Sequence, residues 1–400
     1  MVLSLLIPSP ARTAGRALLN DLKALRASLT QPLRPVAQTL HTPEQLDAFT
    51  QEARQAREAR MSRAGEVLTV CEVRRPTADA VTIVFENPRD APLVYRPGQF
   101  VTLVVAPDGE EVRRAYSMCS DPTGSNETLA VTVKRVEGGL VSNWLNAGVA
   151  VGDRIQVLGP SGEFGTTPEA TRSRRVVLVA GGSGITPLFS VAQALLRGEP
   201  RSAVELVYAN RSAQAVIFAE ELEALEAAHA GRLRVTHVWE EAPEGWGGLV
   251  GRLSGELLER ALPVDAEAEY YVCGPGPMMD GVTAFLGAAG VPEVQVRLER
   301  FTAGRGARSG ARGLVHPVRF ARSGRLVQVP DDQTLLEAGR AAGLPLDSSC
   351  TMGGCAACKL TVLEGEVEHE EPNCLKASEA ARGACLACVA RPRSALVIDA

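Results

Sequence analysis

Four cysteines near the C-terminus constrain this chain of 400 residues more than any other feature: Cys350, Cys355, Cys358 and Cys388. The intervals between them hold four, two and 29 residues. Four thiolates at this spacing match the ligand pattern of a 2Fe–2S cluster. Gly353 and Gly354 lie inside the loop, where small residues let backbone N–H groups approach the cluster sulfurs. Zinc is the alternative, but zinc ligands more often come as paired C-x2-C units. A Rieske centre needs two histidine ligands, and neither His316 nor His369 stands in a Cys-x-His pair. Cys374 and Cys385 also follow Cys358, so spacing alone leaves the fourth ligand open among these two and Cys388. The nine cysteines are odd in number and six fall in the last 51 residues, a poor disulfide framework. The apolar stretch Met1 to Ile7 has no basic residue before it, unlike an export signal. The expectation is a reduced, cytoplasmic chain that holds a metal centre.

A length of 400 residues implies two to four domains. With 45% hydrophobic residues the chain can bury sizeable cores. A net charge of −5 argues against a nucleic-acid partner. No apolar run approaches the ~20 residues of a membrane-spanning helix.

The pattern divides the chain into a helical N-terminal extension (1–63), a strand-rich region (64–168), an alternating region (169–302), a Gly/Arg-rich linker (303–314) and a C-terminal unit (315–400). The extension carries nine Lys/Arg against five Asp/Glu, and Leu18, Leu22, Leu25 and Leu29 line one helix face. VLTVCEV, AVTIVFE, QFVTLVV, LAVTVKRV and DRIQVLG read as short strands of an antiparallel β-barrel. From 169 on, strands alternate with helices expected at Leu188–Leu196, Ile217–Ala228, Gly255–Ala261 and Met278–Ala288. That alternation predicts a doubly wound α/β sheet.

Arg114, Tyr116 and Ser117 fall close together on a strand. A cation, a flat ring and a hydroxyl are what a phosphorylated flavin needs, although an ordinary surface strand would read the same way. Gly138-Gly139 and Ser142 follow at a helix start, where free N–H groups bind a pyrophosphate. Gly181, Gly182, Gly184 and Thr186 form a second glycine-rich turn between strand and helix, suited to another phosphate. Cys273 and Gly274 end a later strand, where open α/β sheets bind ligands. The turn Tyr208 to Ser212 has no acid to hold a free ribose 2′-hydroxyl, and Arg211 suits a 2′-phosphate. This tilts the expectation towards NADPH, with NADH left open.

With RPGQF, RAYSMCS, VKRVEGGLVSNWL, GPSGEFG, GGSGITP and CGPGPMMDGV in that order, residues 65–300 resemble the ferredoxin–NADP reductase superfamily. The resemblance implies Arg114 on the FAD pyrophosphate with Gly139 and Ser142, Tyr116 stacked on the flavin, and Ser117 near its N5. It implies Cys273 beside the nicotinamide and Phe301 near both rings, and it favours FAD over FMN. Cys385-Leu-Ala-Cys388 resembles the segment that carries the fourth ligand of plant-type ferredoxins, so 315–400 is expected to be a β-grasp ferredoxin domain. The domain order resembles reductase components of bacterial oxygenases, such as those acting with phenylacetyl-CoA oxygenase and ketosteroid hydroxylase.

The resemblance implies an NAD(P)H oxidoreductase that passes electrons from NAD(P)H to FAD to a 2Fe–2S cluster. A separate oxygenase or fatty-acyl desaturase would accept them. The alternative is a redox-sensing or regulatory protein gating a partner. Ser117 and Cys273 are the expected catalytic positions. Two surface features add expectations of their own. The run Glu364, Glu366, Glu368, Glu370 and Glu371 suits docking of a basic partner. The leucine stripe of the extension, flanked by Arg12, Arg16, Lys23 and Arg26, suits peripheral contact with the inner membrane face.

Overall fold

The computed structural model describes residues 65–87, 94–123, 128–301, 313–348, 351, 353, 356–370, 373–375 and 377–400. The helical extension expected over residues 1–63 lies outside the described residues.

Six antiparallel strands form the first sheet: β1 (Glu66–Thr77), β2 (Ala80–Glu86), β3 (Phe100–Val105), β4 (Val112–Ser117), β5 (Thr128–Lys134) and β6 (Arg154–Ser161). Their order is β4-β3-β6-β1-β2-β5. A bridge between Met118 and Val131 joins the end of β4 to β5, so the two edges meet as the barrel expectation requires. Alternate residues fill the interior, among them Leu68, Ile83, Phe85, Leu103 and Val133. Helix α1 (Leu140–Gly148) closes one end with Val141 and Leu145. Asn146 of α1 donates from Nδ2 to the Val133 carbonyl at 2.9 Å, tying the helix to β5.

β2 is buried on both faces, which explains its unbroken apolar sequence. Val81, Ile83 and Phe85 face the barrel, while Ala80 and Val84 join the core of the next domain. That domain is a parallel sheet of β7 (Arg175–Gly181), β8 (Ala203–Asn210), β9 (Leu233–Trp239), β10 (Leu249–Val250), β11 (Glu269–Cys273) and β12 (Val296–Glu299). The order β10-β9-β8-β7-β11-β12 reverses direction at β7, the switch point of a doubly wound sheet. Helices α2 (Ile185–Gly198), α3 (Ala219–Ala228), α4 (Glu256–Ala261) and α5 (Gly276–Ala288) cover it. α2 and α5 begin two or three residues earlier than the sequence pattern suggested. Pro187 and Pro277 sit in their first turns, where a missing N–H costs nothing. α3 starts at Ala219 rather than Ile217 because Phe218 adopts φ +65° and breaks the helical run.

The C-terminal unit contains β13 (Val315–Phe320), β14 (Arg325–Pro330), α6 (Leu335–Ala341), β15 (Lys359–Glu364), β16 (Val367–His369), α7 (Ala377–Ala380), β17 (Ala384–Leu386), β18 (Ala390–Pro392) and β19 (Leu396–Ile398). Its main sheet runs β14-β13-β19-β15-β17, and β16 pairs with β18. β13 and β19 are parallel while their outer neighbours are antiparallel, and α6 packs on the sheet. This is the mixed sheet around a helix that a β-grasp requires. Thr334 and Glu337 cap α6 reciprocally.

Candidate functional site

A cavity of about 480 Å³ opens where the barrel meets the parallel sheet. Arg114, Tyr116 and Ser117 reach its wall from β4, Thr132 and Lys134 from β5, and Gly139 to Ser142 from the first turn of α1. Ser183 and Thr186 arrive from the glycine-rich turn after β7, and Phe301 from the segment after β12. Antiparallel pairing fixes the β4 residues: Tyr116 lies opposite Val101 and Ser117 opposite Phe100. Burial pushes the Tyr116 phenol above its ordinary range, so its ring stays neutral and apolar. Among the described residues Arg114 forms no ion pair. Its Nη1 donates to the Arg113 carbonyl at 2.8 Å.

The start of α1 has no side-chain cap, so its first N–H groups remain available to an anion. Ser142 Oγ accepts from the Val136 N–H at 3.2 Å, and its own proton can still be donated. A Cβ on Gly139 would stand 2.5 Å from that oxygen. A neutral aromatic ring, a cation with no ion pair among the described residues and an uncapped helix start fit a phosphorylated flavin.

The ends of β7 and β11 touch at the switch point. A Cβ on Gly184 would lie 2.1 Å from the Cys273 carbonyl oxygen, and one on Gly181 would lie 2.6 Å from Pro275 Cδ. Gly181, Gly184 and Gly274 therefore back the site through close packing, whereas Gly182 has space around it and a positive φ of +52°. Ser183 and Thr186 are the members of the turn that reach the cavity wall. Cys273 is brought next to this turn but not onto the wall. Its side chain shares a sheet face with Tyr271 and is fully buried in the core beneath α2. Burial, with the negative charge of Glu299, holds its thiol well above the ordinary value, so it stays protonated. Arg211 is exposed on the turn after β8, away from this cavity.

Lys134 has no role in the motifs of the sequence, where it stands inside VKRVEGG. Its Nζ lies 3.5 Å from Asp79 Oδ2 and would stand 3.9 Å from a Cβ on Gly182. The lysine thus spans from the barrel to the glycine-rich turn.

In the C-terminal unit, the Sγ atoms of Cys358 and Cys388 lie 3.2 Å apart, both buried. Gly353 N–H donates to Cys388 Sγ at 3.2 Å. Two thiolates bound at ~2.3 Å to one tetrahedral metal stand about 3.8 Å apart, so the pair would share an iron after opening by about 0.6 Å. Cys350 and Cys355 lie outside the described residues. Cys385 is buried on β17 and burial pushes its thiol up to about 12; Cys374 is half-buried. Ala357, beside Cys358, packs against Phe100 of the barrel, as Ala115 does. The acidic run is less charged than its sequence implies: Glu368 pairs with Arg393, and Glu370 with Arg391 at 2.9 Å.

Comparisons with known proteins follow the same three-part division. The oxidoreductase FAD-binding domain family matches residues 68–165, the oxidoreductase NAD-binding domain family 178–284, and the 2Fe-2S iron-sulfur cluster binding domain family 318–393. A component of the 1,2-phenylacetyl-CoA epoxidase of Escherichia coli is 36% identical over 345 residues, 83% of this chain and 96% of that protein. The ferredoxin reductase component of 3-ketosteroid-9-alpha-monooxygenase from Rhodococcus rhodochrous is 38% identical over 343 residues, 82% of this chain and 94% of that protein. Among solved structures, phthalate dioxygenase reductase superposes with TM-score 0.58 at 27% identity, covering 84% of this chain and 98% of its own. A type IV self-sufficient cytochrome P450 monooxygenase gives TM-score 0.65 at 27% identity, covering 84% of this chain and 41% of its own. Among the described residues no helix is long and apolar enough to cross a membrane. With barrel, doubly wound sheet and cluster domain in one order along nearly the whole length of these relatives, the chain belongs to the NAD(P)H-dependent iron–sulfur flavoprotein reductases that serve as reductase components of oxygenase systems.

Proposed function

We propose that the cavity between barrel and parallel sheet is the place where NAD(P)H meets FAD, and that the C-terminal unit carries electrons on to a separate oxygenase. One observation carries this reading: a single cavity wall gathers Arg114, Tyr116 and Ser117 with the first turn of α1, Thr186 and Phe301. Arg114 and the N–H groups of Gly139 to Ser142 hold the FAD pyrophosphate. Tyr116 stacks on the flavin ring and Ser117 hydrogen-bonds at N5. Gly181, Gly182, Gly184, Gly274 and Thr186 hold the nicotinamide nucleotide, Cys273 packs behind its ring, and Phe301 covers the flavin until it enters. Arg211 takes a 2′-phosphate. Cys350, Cys355, Cys358 and Cys388 ligate the cluster. A bound flavin takes two electrons as hydride and releases them singly, which links a nicotinamide to a one-electron cluster.

The named relatives belong to an epoxidase and a monooxygenase, which favours an oxygenase over a desaturase as acceptor. They lend no support to a sensor role. The leucine stripe of residues 1–63 supports weak peripheral membrane contact. A chain starting at Met61 then keeps NAD(P)H oxidation and loses co-sedimentation with anionic vesicles. The flavin site is tested by the double variant Arg114→Ala, Tyr116→Ala. Losing a charged phosphate contact and a stacked ring costs roughly 1–3 kcal/mol each, so the variant purifies with little FAD. Full flavin content in that variant would sink the assignment.

A further inference from the structure

Beside the cavity lies an apolar patch that the roles assigned so far leave unused. Val136, Leu140 and Trp144 are exposed to 52%, 44% and 38%. Leu140 and Trp144 are four residues apart on α1 and so share a helix face. Asn143 Nδ2 donates to the Val136 carbonyl at 3.1 Å, which fixes the segment before the helix against it. Val136 and Leu140 also line the cavity, whereas Trp144 does not. The patch therefore continues the cavity wall outward across its rim. Large apolar side chains grouped at a cavity mouth mark a surface that something covers.

The occupant follows from the direction of that continuity. The cavity wall ends at the uncapped first turn of α1, the place for a pyrophosphate. The exposed face of the same helix offers the adjoining apolar surface to whatever is joined to the outer phosphate. Trp144 stands about 6 Å further along the helix axis than Leu140, the length of one nucleoside. We propose that Trp144 stacks on the adenine of FAD, with Leu140 and Val136 beneath its ribose. The patch then explains a choice of FAD over FMN. This rests on the flavin reading of the cavity, but it concerns only the half of the cofactor that FMN lacks.

Full-length protein stripped of flavin and titrated separately with FAD and FMN tests it. Stacking of a base on an aromatic side chain predicts that Trp144→Ala weakens FAD roughly ten-fold or more. FMN affinity stays unchanged, and Trp144→Phe restores most of the loss. Unchanged FAD affinity in Trp144→Ala, or equal weakening of FAD and FMN, overturns the proposal. Intact FAD affinity combined with loss of turnover by an oxygenase partner overturns it too and gives the patch to protein docking. Failure of the wild-type chain to bind either flavin would instead sink the cavity reading.

Discussion

Cys358 and Cys388 bring their sulfurs within 3.2 Å of each other across 29 intervening residues. Strand pairing does this. β15 and β17 are antiparallel, with Lys359 opposite Leu386, and the Ala387 N–H donates to the Cys358 carbonyl at 3.0 Å. The two cysteines therefore flank one end of the pair, while Cys385 lies opposite Leu360 inside it.

That placement separates Cys388, the proposed fourth ligand, from its neighbours. Cys388→Ser is expected to abolish the visible absorbance of the cluster and leave flavin bound. Cys385→Ser and Cys374→Ser are expected to keep it. Loss of the cluster in Cys385→Ser, with retention in Cys388→Ser, would reverse the ligand assignment.

The seat of the cluster loop gives a second expectation. Ala357 adjoins Cys358, and it packs on Phe100, which also holds Ala115, the neighbour of Tyr116 on β4. An unpaired carboxylate forced into this contact costs several kcal/mol, enough to lower the docked population more than ten-fold. Ala357→Glu should therefore cut NAD(P)H-to-cytochrome c electron flow by roughly that factor. Ferricyanide reduction, which the flavin supports alone, should be unaffected. Equal loss of both activities would show that the contact does not serve the flavin-to-cluster step.

Much of this arrangement is legible in the sequence, for definite reasons. The proposed phosphate sites rest on glycines and helix starts, and three of the four proposed cluster ligands on a short fixed spacing, so both are read from local motifs. Lys134 is not legible, because its importance comes from Gly182 being folded against it, which no local pattern records. Cys273 is legible as a strand end, but the face it points to depends on how α2 and the barrel cover the sheet. Glu368 and Glu370 look like free acids in the sequence because their arginine partners lie more than twenty residues away on and beside β18.

A buried ion network anchors the junction between barrel and parallel sheet. Arg174 bonds Glu199 at 2.8 Å, Glu269 at 2.7 Å and Thr166 at 2.9 Å, and the Glu199 side chain is wholly buried. Burial opposes ionisation of Glu199, but bonds from Arg174, Ser202 and the Glu169 N–H outweigh it and hold its carboxyl below the ordinary value of 4.5. Glu269 is lowered likewise, against burial, by Arg174 and Arg297. For depressed carboxyls the stabilisation is present above the unfolded pKa and lost as pH falls through the folded one. Thermal stability should hold at neutral pH and fall in the range below 4.5, where both groups protonate. Glu199→Ala removes one of the two carboxylates that hold Arg174, leaves Glu269 in place, and should cost about 1–3 kcal/mol at neutral pH. Asp399→Asn, which breaks the exposed pair with Arg322, should leave the melting temperature unmoved. A Glu199→Ala protein as stable as wild type would remove the network from any anchoring role.

The role proposed for Arg211 ties the choice of nicotinamide cofactor to the end of β8. The segment after β8 carries no acid of its own, yet the residues after β9 supply two beside it. The Glu240 N–H donates to the Asn210 carbonyl at 3.0 Å and the Glu241 N–H to the Arg211 carbonyl at 2.7 Å. Glu240 is drawn towards Arg252, 3.3 Å away. Arg211 is exposed at the turn, free to meet a 2′-phosphate with a charge-assisted hydrogen bond worth about 1.5–3 kcal/mol. Arg211→Ala should raise KM for NADPH roughly ten-fold or more and leave NADH nearly unchanged. Glu241→Gln removes a neighbouring negative charge and should shift preference further towards NADPH. The measurement is kcat/KM for both nucleotides with ferricyanide as acceptor. If Arg211→Ala changes neither nucleotide selectively while Glu241→Gln weakens NADH, the acids that follow β9 hold a free ribose hydroxyl and NADH is the donor.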